Sequence, residues 1–445
     1  MRIVKACFDE GIESVLAVSA ADRGSLGAQL ADDVVVIGPA AAAESYLDLD
    51  RVVSAAKVTG CDALHPGYGF LSERPELAAA CEEEGVVFVG PSSEAMRRSG
   101  DKATARALAK ELEVPINEGS DVIETEADAR AVADEIGYPV LLKAAAGGGG
   151  RGMRIVEDEA AMASAWAQAH GEAEAAFGDG RLFLERFVRH ARHVEVQVLG
   201  DAAGNVVHVG NRDCTLQRRY QKLIEEAPAH GLPEALEVQI SDAAVRLIAA
   251  LDYTGAATCE FLVDPDRGTA GFLEINARLQ VEHPVSEVVT GVDVVREMLR
   301  IAGGEGLSVS QEEIEVRGHA IEVRINAEDP RRDFAPTPGR VDVWAVPQGT
   351  DVRVDTACFP GWSVPPYYDS LLAKLICSGP DREAALARTR QALGHFHVEG
   401  VETTAGFAFD LLDHPEVIAG EVHTKWVEET FLPEWNGAAA EGAAA

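Results

Sequence analysis

The chain has 445 residues and a formal net charge of −35, long enough for two or three domains with a large core and too acidic for a nucleic-acid partner, whose phosphate backbone demands a basic face. No apolar run nears the length of a membrane span and the start lacks a signal-peptide pattern, so a cytoplasmic protein without a membrane partner is expected. Only eight of the 39 basic residues are lysines, and that acidity reads as solvation in a high-salt host, which activity unchanged between low and molar salt would contradict.

Met1 to Cys7 reads as helix and runs through Gly11 into a strand, Ser14 to Ser19. Val34 to Ile37 and Val86 to Val89 are further strand-like runs, separated by helical stretches at Tyr46 to Thr59 and Pro75 to Glu84. That alternation is the α/β, doubly wound pattern. Residues 65 to 73, His-Pro-Gly-Tyr-Gly-Phe-Leu-Ser-Glu, form a loop that is either an ordinary turn or a functional one. Gly100-Asp-Lys102 opens an Ala-rich helix, and the strand Tyr138 to Lys143 leads into Ala144-Ala-Ala-Gly-Gly-Gly-Gly-Arg-Gly152. Gly147, Gly149 and Gly152 satisfy the dinucleotide fingerprint, but Met153-Arg-Ile-Val156 after them is a strand and offers no helix N-terminus to a pyrophosphate. No Walker Lys-Ser/Thr follows either. A flap of backbone N–H groups over phosphates and a flexible linker are the two readings. Four consecutive glycines carry a large entropy cost with no structural gain, and Lys143 and Arg151 bracket them, which favours the flap.

Arg181 to Val188 is a strand ending in a hinge of the kind that holds adenine through backbone groups. His193 to Leu199 alternates as a half-buried strand, whose Glu195 and Gln197 read as ordinary core or solvent-face positions. Asn211 to Lys222 is a basic loop in an acidic protein and points to an anionic ligand. Its Cys214 is the candidate reactive thiol; the seven cysteines otherwise read as reduced, mostly buried groups without metal spacing. Ala257 to Val263 is a strand, Asp264 to Thr269 a turn, and from Glu274 nine residues alternate polar and apolar up to His283-Pro284. Glu274, Asn276, Arg278, Gln280 and Glu282 then share one strand face, and Pro284 ends the pairing. A turn centred near Arg267 sets Glu260 opposite Glu274, and two facing carboxylates repel unless a cation lies between them. With Asn276 as a third oxygen donor, magnesium suits. A solvated face is the alternative, and the absence of Thr, Ser and Lys on it argues for the metal. Helix follows at Asp293 to Ala302 and strand at Gly318 to Asn326; Pro336 onward and Asp351 to Asp355 suggest a β-rich section. Pro365 to Ser370 is a loop, Arg382 to Leu393 a helix, and the Ala/Gly ending from Gly437 low-complexity and disordered.

Several of these stretches resemble biotin carboxylase, the ATP-grasp component of acetyl-CoA, propionyl-CoA and pyruvate carboxylases. The matches are residues 65–73, Gly-Gly-Gly-Gly-Arg-Gly-Met at 147–153, Arg-Asp-Cys-Thr-Leu-Gln-Arg-Arg at 212–219, Asn276 to Pro284, and Pro-Pro-Tyr-Tyr-Asp-Ser at 365–370. They keep their order over essentially the whole chain. The resemblance implies an α/β protein with a doubly wound N-terminal domain (1–96), an ATP-grasp domain (97–303) with a lid at about 117–187, a β-rich C-terminal domain (304–432) and a disordered tail (433–445). It implies MgATP-dependent, or MnATP-dependent, carboxylation of biotin with bicarbonate through carboxyphosphate.

By the same resemblance Lys102 and Lys143 hold ATP phosphates, with Gly149 and Gly150 in the flap. Glu185, Arg186, Phe187 and Val188 match the adenine hinge, and His193, Gln217 and Tyr220 match nucleotide contacts. Glu260, Glu274 and Asn276 match the metal ligands. Lys222, Arg278 and the backbone of Val281 match the bicarbonate pocket, Glu282 the base, and Arg353 the group that stabilises enolised biotin. Such chemistry needs metals and fixed cations more than covalent catalysis. Tyr220 stands where the family commonly has His, and Ala146 replaces a fifth flap glycine. No lysine lies next to a Met, so biotin is expected on a separate carrier protein. The carboxyltransferase of the holoenzyme is the other expected partner, and a homodimer or larger complex the expected assembly. The alternatives are another ATP-grasp carboxylate ligase and a non-catalytic regulatory relative. Relatives place an apolar strand and a loop reading Asn-Arg-Gly-Glu-Ile-Ala ahead of the helix that here opens at Met1. Since the first strand of a doubly wound sheet is central, the expectation is that the natural protein starts upstream or else that this chain has a loosened N-terminal domain, the alternative being a lineage that dispenses with the strand.

Overall fold

The computed structural model describes residues 1–144 and 153–435. The chain divides into two compact units: Met1–Val114, Arg192–Phe261 and Leu273–Ala445 form the larger, and Pro115–Ala191 with Leu262–Phe272 the smaller.

The larger unit opens with a helix, Arg2–Glu10, stopped by Gly11 at φ 68°, a left-handed cap that glycine adopts without strain. Two parallel pairs follow, β1 (Val15–Ser19) with β2 (Asp33–Gly38) and β3 (Ala63–Leu64) with β4 (Val87–Phe88). The second helical stretch begins at Leu49 rather than Tyr46, because the Asp48 side chain accepts from the Arg51 N–H and fixes the N-cap there. Pro75 occupies the first turn of the helix Pro75–Glu84, where its missing N–H leaves no bond unmade. Val53, Leu71, Leu77, Cys81 and Val86 close a core between these elements. The helix Lys102–Glu111 is capped by Asp101, which accepts from Thr104 N.

In the smaller unit, β5 (Val140–Ala144) lies between β6 (Arg154–Val156) and β7 (Leu182–Arg186), antiparallel to both. The stretch after the glycines is thus a strand. The glycine loop itself, with Ala146, Gly147, Gly149, Gly150 and Arg151, lies outside the described residues. The helices Glu126–Ile136 and Met162–Phe177 cover the sheet through Ala129, Ala133, Met162 and Ala169 against Val140, Leu142 and Leu184.

The larger unit is built on one long sheet. Its strands are β8 (Arg192–Gly200), β9 (Val206–Arg218), β10 (Gln221–Ala227), β11 (Gly255–Asp264), β12 (Thr269–Asn276) and β13 (His319–Asn326), with residues 262–264 of β11 and 269–272 of β12 counted in the smaller unit. Short strands β14 (Glu328–Asp329), β15 (Ala335–Pro336), β16 (Gly339–Arg340) and β17 (Val343–Ala345) precede β18 (Val352–Thr356). Then come β19 (Ser363–Val364), β20 (Leu371–Gly379) and β21 (His397–Glu399). The sheet order is β12-β11-β8-β9-β10-β13-β20-β18. The C-terminal section therefore continues the same hydrogen-bonded sheet across the β10–β13 ladder, which pairs Ile224 with Val323 and Ala227 with Ala320. On β13, Ile321, Val323 and Ile325 enter a core closed by Leu386, Leu393, Phe407, Trp426 and Phe431. Ala320 and Ile376 meet Val285 and Val289 of the helix His283–Thr290 on the opposite face.

Three expectations need correction. The strand read through Glu282 ends at Asn276, and Pro284 lies in the first turn of the following helix; Ala277 to Glu282 alternate because polar groups of the site, not a solvated sheet face, receive their side chains. Asn211 to Arg218 is not a loop but the second half of β9, so Cys214 is fully buried, and burial pushes its thiol well above the usual range. That removes the case for reactivity. Of the tail expected to be disordered, Pro433 and Glu434 belong to a short helix, Leu432–Glu434, while residues 436–445 lie outside the described residues. Among the described residues no helix is long and apolar enough to cross a membrane.

Candidate active site

The β10 strand carries Lys222 into a nest of carboxylates. Its Nζ donates to Glu195 Oε2 at 2.6 Å, Glu282 Oε1 at 2.6 Å and Glu260 Oε1 at 3.3 Å. Glu195 and Glu282 are fully buried. Buried charges of this kind survive only when paired and hydrogen-bonded, and each here is. Arg212, wholly buried on β9, donates to Glu195 Oε1 at 2.6 Å, Gln197 Oε1 at 2.8 Å, Ser286 Oγ at 3.0 Å and Thr258 Oγ1 at 3.2 Å. Glu282 receives a second cation, since Arg324 Nη2 donates to its Oε2 at 3.0 Å. Burial alone would raise the Glu282 carboxyl; Lys222, Arg324 and Arg212 together hold it well below the usual carboxylate range.

Next to this nest lies the oxygen-rich end of β12. Asn276 Nδ2 donates to Glu260 Oε1 at 2.9 Å, and His193 Nε2 stands 3.0 Å from Glu260 Oε2. Glu274 Oε2 pairs with Lys102 Nζ at 3.1 Å. Arg278 donates to Asn276 Oδ1 at 3.2 Å and Gln280 Oε1 at 2.6 Å, and its Nε meets Glu73 Oε2 at 3.0 Å, so it ties the 65–73 loop to the site. The Val281 carbonyl accepts from Lys374 Nζ at 2.6 Å. Gln217 is buried beside His193, its Nε2 donating to Cys214 O at 3.2 Å. Tyr220, by contrast, is 67% exposed, with Lys425 Nζ 4.4 Å from its ring centroid.

In the smaller unit Lys143 Nζ pairs with Glu185 Oε2 at 2.5 Å, Arg186 Nε with Glu118 Oε2 at 2.5 Å, and Phe187 N donates to Pro139 O at 3.1 Å. Val188 follows the end of β7.

Arg353 has other company. It grips Asp355 through two bonds of 2.8 and 2.7 Å and donates to Glu287 Oε2 at 2.8 Å. The guanidinium that touches Glu282 is that of Arg324. Glu195, Arg212, Arg324 and Lys374 are thus site residues that sequence reasoning missed. The alternation of residues 318–326 puts Arg324 on the face of β13 opposite Ile321 and Val323, but only the pairing with β10 shows what it meets.

Glu260, Glu274 and Asn276 fit a magnesium ion by donor chemistry. All three offer hard oxygens, Glu260 and Asn276 already touch, and Glu274 lies two residues before Asn276 on the same face of β12.

An antiparallel sheet that sets hard oxygen donors beside a cation clamp, in a chain whose smaller unit carries Lys143 on a three-stranded sheet covered by two helices, defines an ATP-grasp ligase. Models of the biotin carboxylase N-terminal domain (residues 1–96), the carbamoyl-phosphate synthase L chain ATP-binding domain (101–310) and the biotin carboxylase C-terminal domain (322–429) match the chain. Biotin carboxylase 1 of Bacillus subtilis is 47% identical, with 96% of this chain and 95% of that protein covered. The biotin carboxylase of Pseudomonas aeruginosa is 49% identical over 96% of this chain and 95% of its own. Among solved structures, the biotin carboxylase domain of the Hydrogenobacter thermophilus 2-oxoglutarate carboxylase, in complex with MgADP, ADP and bicarbonate, superposes with a TM-score of 0.87 at 42% identity, covering 96% of this chain and 94% of that one. The chain belongs to the biotin carboxylase family.

Proposed function

We infer that the protein carboxylates biotin with bicarbonate at the expense of ATP, through carboxyphosphate. What carries the reading is Glu282, one carboxylate oxygen on Lys222 and the other on Arg324, within a site that also holds Arg278. A small oxyanion is bound by fixed cations, and a carboxylate beside it takes its proton. We assign the bicarbonate clamp to Lys222, Arg278 and the backbone of Val281, and the base to Glu282. Once bicarbonate draws Lys222 toward itself, Glu282 shares a cation with a second anion, and its proton affinity rises as the proton must move.

Lys102, Lys143 and the flap glycines Gly149 and Gly150 are assigned to the ATP phosphates. Glu185 to Val188, His193, Gln217 and Tyr220 are assigned to the rest of the nucleotide. Magnesium held by Glu260, Glu274 and Asn276 would neutralise charge on the phosphate oxygens. The charge on enolised biotin falls to a guanidinium: Arg353 by the resemblance, with Arg324 favoured by its contact with Glu282. A biotin carrier protein and a carboxyltransferase are the partners, and a homodimer or larger complex the working state.

ATP cleavage measured with free biotin and bicarbonate, each omitted in turn, tests the function. Turnover that needs bicarbonate and is raised by biotin supports it; turnover indifferent to bicarbonate overturns it.

A further inference from the structure

Glu225 and Glu322 stand directly opposite each other on β10 and β13. Both are fully buried. Like charges across a ladder repel, and in a dry sheet face the repulsion is unscreened. The cations nearby are already committed. Arg324 donates from Nε to Glu225 Oε1 at 2.6 Å, and its Nη2 lies 2.5 Å from that oxygen and 3.0 Å from Glu282 Oε2. Lys374 is turned to the Val281 carbonyl at 2.6 Å, with Asp355 at 3.8 Å. Lys222 serves Glu195, Glu260 and Glu282. Neither oxygen of Glu322, nor Oε2 of Glu225, has a hydrogen-bond partner among the described residues.

We propose that Glu225 and Glu322 hold a single proton between them above neutral pH, carried on Glu322, and that the charge left on Glu225 fixes the Arg324 guanidinium against Glu282. Glu225 is then a positioning residue for the bicarbonate-activating base. This rests on the function inferred above. The groups facing the pair are Cys214 on β9, Lys222 on β10, Arg324 on β13, Lys374 on β20, Glu282 before the His283–Thr290 helix, and Tyr68 of the 65–73 loop. Burial raises both carboxyls, Glu225 to about 7 because Arg324 pulls it back, and Glu322 well above the usual range. Raising the pH through about 7 therefore completes the ionisation of Glu225 and tightens Arg324 on Glu282.

The test is the pH profile of biotin-dependent, bicarbonate-dependent ATP cleavage in the full-length chain and three variants. Titration of bicarbonate itself is common to all four proteins and cancels in the comparison. Glu225→Gln should lower kcat by about 10–100-fold, the usual effect of losing a group that orients an active-site residue, with KM for ATP kept and the acid limb near neutrality altered. Glu225→Asp should restore an acid limb. Glu322→Gln, which mimics the protonated acid, should keep the wild-type limb. A Glu225→Gln profile that coincides with wild type, or a Glu322→Gln limb displaced as far as that of Glu225→Gln, overturns the assignment. If Glu225→Gln does not fold, infrared spectroscopy decides: wild type well above neutral pH, where Glu225 is ionised, should show the C=O stretch of a buried carboxylic acid that Glu322→Gln lacks, and a band untouched by that change overturns the proposal. A wild-type chain without bicarbonate-dependent turnover would instead defeat the functional reading.

Discussion

Glu282 shows how far one residue's surroundings decide its role. Glu282→Gln should leave ATP binding nearly intact and lower bicarbonate-dependent turnover by about 10²–10⁴-fold, the range for losing a general base. Steady-state kinetics with ATP and bicarbonate varied separately would show it, and a loss confined to ATP affinity would contradict the role. Arg324 and Arg353 separate by a different pair of assays. Removing the guanidinium that stabilises charge on biotin should harm biotin carboxylation more than biotin-independent ATPase; contact with Glu282 makes Arg324→Ala the expected variant. Arg353→Ala leaves the largely buried Asp355 with Lys374 at 3.8 Å, while Glu287 keeps Arg2, so it should lower stability by about 1–3 kcal/mol in urea unfolding. Residue types were legible where a motif carried them, as in Lys222, Glu260, Asn276 and Arg278. Glu195 was not, because a buried glutamate on an alternating strand looks like any core-facing position until Arg212 and Lys222 are seen to close on it.

At the scale of elements, periodicity placed strands such as β8 and β13 and helices such as Pro75–Glu84, left the helices Met162–Phe177 and Glu234–Ala249 unread, and failed where a tertiary partner replaced the ladder. The alternation from Glu274 continued past the end of β12 because the site receives its polar side chains. Arg219 and Tyr220, at φ 48° and 64°, join β9 to β10 by a tight turn that usually takes Asn-Gly. No turn signal in the sequence marked it, and the basic run read as a loop. Gly318 has a sharper constraint. At φ 69° a Cβ there would lie 2.3 Å from the Gly379 carbonyl oxygen, just where β13 begins beside β20. Gly318→Ala should therefore destabilise the protein by about 1–3 kcal/mol through backbone strain alone, with the clash adding to it. A thermal midpoint equal to wild type would contradict that.

For the whole molecule, charge sets two expectations. A net charge of −35 repels itself, so the thermal midpoint should rise from low to molar salt as screening shortens the reach of that repulsion. Glu226 acts on the acid side. It accepts from His319 Nε2 at 2.7 Å and Arg382 Nε at 2.7 Å. Although burial raises its carboxyl, these partners bring it down from 4.5 to about 2. Its stabilisation is therefore complete above the unfolded value and is lost as pH falls through about 2. Glu226→Gln should cost on the order of 3 kcal/mol at neutral pH and flatten the acid limb of stability, measured by urea titrations between pH 2 and about 6.

Glu226 also sits on the ladder between β10 and β13, and that ladder has a consequence for how the gene can be cut. The chain between these strands passes through Glu315, Val316 and Arg317, all exposed, while the strands themselves are central to one sheet. A protease nick in that stretch should leave two pieces that stay bound and active, like the halves of a split reporter. Neither piece should survive alone, since each would expose a raw edge of backbone groups in what was sheet interior. Co-expressed fragments divided at Val316 should thus co-purify through a tag on either one, and crossovers between relatives should be tolerated only when both strands come from the same parent.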